Sequence, residues 1–132
     1  MALLPVTPLL AVSLASRGGN YESRLHIAEL QKRGDWAGLE SYAQSRITQD
    51  PKDEDSWILL GYSQLQLGKT AAAVESLMLE TRLSPEEIDG WNLLAEALRL
   101  AGRHEEALRA LDYATAIDPT SAVSKFLLGE VY

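Results

Sequence analysis

The chain has 132 residues, 46% of them hydrophobic and 23% charged, with a formal net charge of -7 and a pI near 4.8, enough for one modest core and too little for two independent ones. The acidic balance would repel a phosphate backbone and an anionic lipid surface, which argues against nucleic acid as a partner. The absence of cysteine excludes a disulfide framework, a zinc finger and a thiol nucleophile.

In chain order, Met1 to Ala15 is apolar except for Thr7 and Ser13, and the run stops at Arg17-Gly18-Gly19-Asn20. About fourteen apolar residues would rise only about 20 Å as a helix, short of a hydrocarbon core of roughly 30 Å. Pro5 and Pro8 would also break its early turns, so this is not a membrane span. Ser13-Leu14-Ala15 places small residues where a signal peptidase reads them, with cleavage before Ser16, although no Lys or Arg precedes Arg17. Residues 1–19 are thus a separate apolar segment with two readings. As an export signal of residues 1–15 it would make the protein periplasmic or exported. As a tail, or a short apolar helix against the first repeat, it would leave the protein cytoplasmic.

From residue 20 the chain repeats itself. Gly34, Gly68 and Gly102 are 34 residues apart, and so are Pro51, Pro85 and Pro119, and Trp57 and Trp91. Leu25, Leu59, Leu93 and Leu127 keep the same period, and Gly61, Ala95 and Gly129 keep one position small. Such a period is the mark of stacked supersecondary units. Trp57, Leu60, Gly61 and Leu65 recur at spacings of three and four, the stripe of a helix with one buried face. A glycine then ends the helix in the left-handed conformation, and a second stripe follows, as in Ala107, Leu108, Leu111, Ala114 and Ile117. Ser84-Pro85-Glu86-Glu87 offers an N-cap, a first-turn proline and a reciprocal glutamate, so a new helix is expected to begin there.

This spacing of Trp, Leu, small residue, Gly, Ala and Pro resembles the tetratricopeptide repeat (TPR) family. The resemblance covers about 110 of the 132 residues. It is fullest at residues 88–121, through Trp91, Leu94, Ala95, Leu98, Gly102, Ala107, Leu111, Ala114 and Pro119. Residues 54–87 match nearly as well, but with Gln64 and Glu80 in place of an aromatic and a small residue. Residues 20–53 are degenerate, with Ser23, His26 and Ile27 departing from the pattern, and residues 122–132 restart it as a half repeat. The resemblance implies an all-α, right-handed solenoid of antiparallel helical hairpins, about three repeats plus a terminal helix, over residues 20–132. Gly61 is expected at a close helix approach and Tyr62 in an open groove, so Gly61→Leu should destabilise more than Tyr62→Ala.

No catalytic constellation is apparent. His26 and His104 lack convergent partners, and Glu105 and Glu106 fit a helix start by the dipole alone. Asp50, Asp53, Glu54 and Asp55 lack the glycine and spaced glutamate of a calcium loop and read as a solvated turn between repeats. Neither Gly18-Gly19 nor Gly102 sits in a phosphate-binding pattern. The chain therefore reads as no enzyme, with no cofactor, metal or small-molecule substrate.

By the resemblance, the first helix of each hairpin lines the concave side, and its residues off the buried stripe are the binding candidates. These are Tyr21, Arg24, Gln31 and Lys32 in the first repeat and Asp55, Ile58, Tyr62, Leu65 and Gln66 in the second. Asp89, Asn92, Glu96 and Arg99 continue the face, with Phe126 and Glu130 at its end. Tyr62, Ile58 and Phe126 are expected as exposed apolar anchors. Some relatives grip a chaperone's terminal carboxylate here, but Asp55, Leu59, Asp89 and Leu93 supply no matching clamp. The leading reading is a scaffold or adaptor for a protein or peptide segment, an envelope assembly factor if the chain is exported, whose partner should be lost when Tyr62 and Asn92 are altered. The alternatives are an oligomerising structural subunit, associating through the apolar C-terminal helix, and an accessory domain of a larger enzyme complex.

Overall fold

The computed structural model describes residues 14–132, so the apolar leader up to Ser13 lies outside the described residues, while Leu14 and Ala15 of the cleavage motif lie within them. A 3-10 turn, Ala15–Gly18, precedes seven α-helices: α1 Tyr21–Arg33, α2 Trp36–Gln49, α3 Glu54–Gln66, α4 Thr70–Leu83, α5 Ile88–Leu100, α6 His104–Ile117 and α7 Ala122–Val131. Among the described residues there is no strand, and no helix is long and apolar enough to cross a membrane. The protein is an all-α solenoid of hairpins.

The helix stops follow from the glycines. Gly34, Gly68 and Gly102 have φ of 65°, 78° and 77°, a backbone region that costs a side-chain-bearing residue energy but not glycine. Each donates its N–H to a carbonyl of the helix it ends, as Gly68 does to Leu65 O at 3.1 Å. The turns between hairpins are braced by tryptophan. Trp57 Nε1 donates to Pro51 O at 2.8 Å and Trp91 Nε1 to Pro85 O at 2.7 Å, so these half-buried rings hold the turn as well as packing beside the core. This brace corrects one expected boundary. Pro85 and Glu86 form a turn rather than the first turn of a helix, Ser84 ends α4, and α5 starts at Ile88.

Small residues set how closely the hairpins close. A Cβ on Gly61 would come within 2.5 Å of Leu77 Cδ2, and Ala73, Ala95 and Ala107 are fully buried, so α3 lies tightly on α4 and α5 on α6. The first hairpin is looser. Ile27 stands where Gly61 and Ala95 stand in later repeats, and its bulk, wholly buried, keeps α1 from packing on α2 as closely as the later pairs do. His26 meets Tyr42 edge-on at 4.9 Å across that hairpin. Leu25 is 52% exposed although Leu59, Leu93 and Leu127 are buried. The first helices stack side by side, α3 on α5 and α5 on α7, forming the face on which the candidate site lies.

Candidate partner-binding face

The expected binding residues divide by burial. Tyr21, Arg24, Lys32, Phe126 and Glu130 are exposed, and Gln31, Asp55, Asp89 and Arg99 are half-buried. Ile58, Tyr62, Leu65, Gln66, Asn92 and Glu96 are buried, which corrects the expectation that they are open to a ligand. Tyr62, only 2% exposed, packs against Trp36 with ring centroids 5.5 Å apart, because the tryptophan opening α2 reaches across to α3. Burial pushes the Tyr62 phenol pKa up, with a hydrogen bond to Gln66 opposing. Asn92, 1% exposed, accepts a 2.9 Å hydrogen bond from Ser124 Oγ and so ties α5 to α7. Glu96 is held by Arg99 through bonds of 2.8 and 2.9 Å, which raise the arginine's pKa. Altering Tyr62 or Asn92 would therefore perturb packing.

What covers one end of this face is the chain itself. The Ala15–Gly18 turn packs on α1 and α3, Leu14 is buried in the same apolar core as Ile27 and Ile58, and Arg17, 8% exposed, reaches over the starts of α3 and α5. Its Nη1 donates to Asp55 at 2.7 Å, and its Nη2 to Glu87 at 2.8 Å and Asp89 at 2.7 Å. Arg46 Nη1 donates to the Arg17 carbonyl at 3.0 Å. A Cβ on Gly18 would come within 2.5 Å of Arg24 N, so only glycine lets the turn sit this close to α1. Burial alone would lower the Arg17 pKa, but hydrogen bonds and charge from Glu87 and Asp89 outweigh it and raise it.

The acidic turn between the first two hairpins is also structural rather than simply solvated. Asp53 Oδ2 accepts from Arg46 at 2.8 Å and from Ser56 Oγ at 2.7 Å, and Asp53 Oδ1 accepts from Asp55 N at 3.2 Å. Burial opposes ionisation of Asp53, but the bonds from Ser56 and Arg46 win and hold its pKa below the usual value. Asp55 faces Arg17, and Asp50 caps its own turn by accepting from Lys52 N. Under this cluster lies Glu80, wholly buried, with neither carboxylate oxygen hydrogen-bonded. Burial first, then repulsion from Glu87, pushes its pKa up to about 8, with the Arg17 charge opposing.

The repeat pattern marks Asp55 and Asp89 as groove residues but does not mark Arg17, Glu87 and Glu80 as joining them. Asp55 and Asp89 are 34 apart and so stack along one groove end. Successive carboxylates at one register position call for a cation, and that was the available signal.

Stacked helical hairpins whose first helices lie side by side from α3 to α7, with a polypeptide turn packed on α1 and α3, define a helical-repeat protein. The chain belongs to the tetratricopeptide repeat family, whose models match residues 88–121 and 54–87. No curated protein sequence matches it. Among solved structures it is similar to the first TPR domain of human RPAP3, 16% identical over 95% of this chain and 91% of that one, with a TM-score of 0.75. It is also similar to the first TPR of Spaghetti (RPAP3) bound to the HSP90 peptide SRMEEVD, at 16% identity over 98% of this chain and 95% of that one, TM-score 0.76. The Yersinia enterocolitica type III secretion chaperone SycD, in complex with a peptide of the translocator YopD, matches at 18% identity over 95% and 88%, TM-score 0.69.

Proposed function

We propose that this protein is an interaction scaffold that holds a segment of another protein against the face formed by its first helices. The observation that carries the reading is that this face already seats a polypeptide turn, residues 14–18, by apolar burial of Leu14 and three ion pairs from Arg17. Two structures of the same fold hold peptides, of HSP90 and of YopD, and the shared fold lends the mode of action without the partner. An envelope assembly role is the form this takes if residues 1–15 direct export; cleavage before Ser16 would then remove Leu14 and leave Arg17 as what remains of the seated turn. The test is photo-cross-linking with a benzoylphenylalanine at Arg24, Arg99 or Phe126 on the proposed face, against Ala71 or Arg109 on second helices. Cross-links to one protein from the first set alone support the scaffold; equal yields from both sets refute the face.

A second reading, association of copies through α7, is favoured by the exposure of Phe126 and Tyr132. Comparing the molar mass of the intact chain with that of a Val131→Glu, Tyr132→Glu chain by light scattering decides it. An intact chain that stays monomeric at high micromolar concentration rejects it.

A further inference from the structure

Resting on the scaffold reading, we propose that Asp55, Glu87 and Asp89 form an arginine-recognition subsite of the groove. In the chain that retains Leu14, residues 14–18 occupy it in cis, and a partner segment presenting an apolar residue and an arginine three positions later, on one helical turn, takes it in trans. The argument begins with how the turn is held. Leu14 and Arg17 are one turn apart, linked by the Arg17 N–H to Leu14 O bond of 3.1 Å, so both point to one side. One enters the apolar core and the other meets three carboxylates within 2.8 Å. The guanidinium fork suits such a set because its donors diverge in a plane, which an ammonium cannot reproduce.

The occupant and the pocket fit incompletely, which is what a displaceable ligand requires. Three carboxylates face one guanidinium, Arg17 Nε is buried without a partner, and both oxygens of the wholly buried Glu80 beside it are likewise unbonded. Buried polar groups without partners lower the net gain from seating the turn. The three carboxylates make the pocket attractive to a cation once residues 14–18 leave it. The turn joins the body through Gly19, at φ 87°, and Asn20, so release needs movement of few backbone bonds. A tethered turn acts at an effective concentration on the order of millimolar, and a partner's apparent affinity falls with the fraction of sites left open.

The experiment titrates the full chain, by two-dimensional amide NMR, with the acetylated peptide Leu-Ala-Ser-Arg-Gly-Gly. Arg17→Gln, which removes the competing cation, should bind the peptide at least about tenfold more tightly than the intact chain, as expected when a tethered competitor is withdrawn. Gly18→Ala lifts the turn from α1 while leaving the pocket intact. It should show the same gain and serves if the first variant folds poorly. Adding Asp55→Asn and Asp89→Asn should abolish binding, and so should exchanging the peptide's arginine for glutamine. Equal affinity for intact and released chains overturns the competition in cis. Binding that survives loss of the two aspartates, or of the peptide's arginine, overturns the arginine subsite. If the photo-cross-links to a partner persist at full yield in a chain lacking both aspartates, the scaffold stands and this subsite falls.

Discussion

Gly90 lies directly over the carboxyl of Glu80, so that a Cβ at Gly90 would overlap Glu80 Oε1. Glu80 occupies a position that is Ala114 in the next repeat, and Gly90 one that is Ser56 and Ser124 in the repeats on either side. One large residue at a small position is accommodated by one missing side chain across the hairpin junction. Gly90→Ala should therefore destabilise the chain by about 1–3 kcal/mol through overpacking. In a Glu80→Ala background the same change should stabilise by about 0.5–1 kcal/mol, the ordinary gain of alanine over glycine inside a helix. Urea midpoints of the four chains measure this, and an unchanged sign between the two backgrounds refutes the pairing.

The same carboxyl sets a pH dependence. Glu80 is raised from 4.5 to about 8 in the folded state by burial, with Glu87, Glu54 and Asp55 adding repulsion and Arg17 opposing. The folded state then binds a proton that the unfolded chain has released, so Glu80 favours folding below about pH 4.5. That contribution is lost progressively as pH rises towards 8. Asp53 acts oppositely: its pKa is lowered, so its contribution is present above the unfolded value and lost as acid protonates it. Glu80→Gln should flatten the decline between about pH 4.5 and 8 and leave the acid limb unchanged, as read by denaturation midpoints across that range. A decline of the same slope in the variant would assign it to another group.

The hairpins were legible because each repeat carries its own punctuation. Left-handed glycines, prolines in the turns and small residues at helix crossings are local requirements, and a 34-residue period exposes them. The open or buried state of the first-helix face was not legible, because it depends on neighbours the period does not encode. Tyr62 is covered by Trp36, which departs from the repeat, and Asn92 by Ser124. Arg17 was hidden for a related reason. Its partners lie 38, 70 and 72 residues away, and its place at the end of an apolar run suggested the boundary of a leader.

Tyr62 and Phe126 were expected to behave alike and should not. Tyr62→Ala removes a buried ring packed on Trp36 and should cost about 3–5 kcal/mol, so it no longer serves as the mild counterpart of Gly61→Leu. Phe126 is 50% exposed, and Phe126→Ala should change monomer stability by no more than about 0.5 kcal/mol. Thermal melts at low protein concentration separate the two, and similar losses would mean that α7 is more deeply docked than described.

The last expectation concerns the energy with which Arg17 holds the turn. Arg17 is largely buried, but the side chains of Asp55, Glu87 and Asp89 are 39%, 33% and 25% exposed, so water screens one side of each pair. Removing one partner of a fully buried pair costs about 3–5 kcal/mol, whereas exposed pairs are worth about 0–1 kcal/mol. Arg17→Ala should fall between these limits, at about 2 kcal/mol, and most of that loss would be repulsion among carboxylates left without their cation. Two consequences separate this account from lost packing. Adding Asp89→Asn to Arg17→Ala should recover part of the loss, because it removes one of the repelling charges. Raising the salt from about 0.05 to 0.5 M should narrow the gap between Arg17→Ala and the intact chain, since the screening length falls well below 10 Å. A gap indifferent to salt and unrelieved by Asp89→Asn would assign the role of Arg17 to its aliphatic stem against α3 and α5 rather than to its charge.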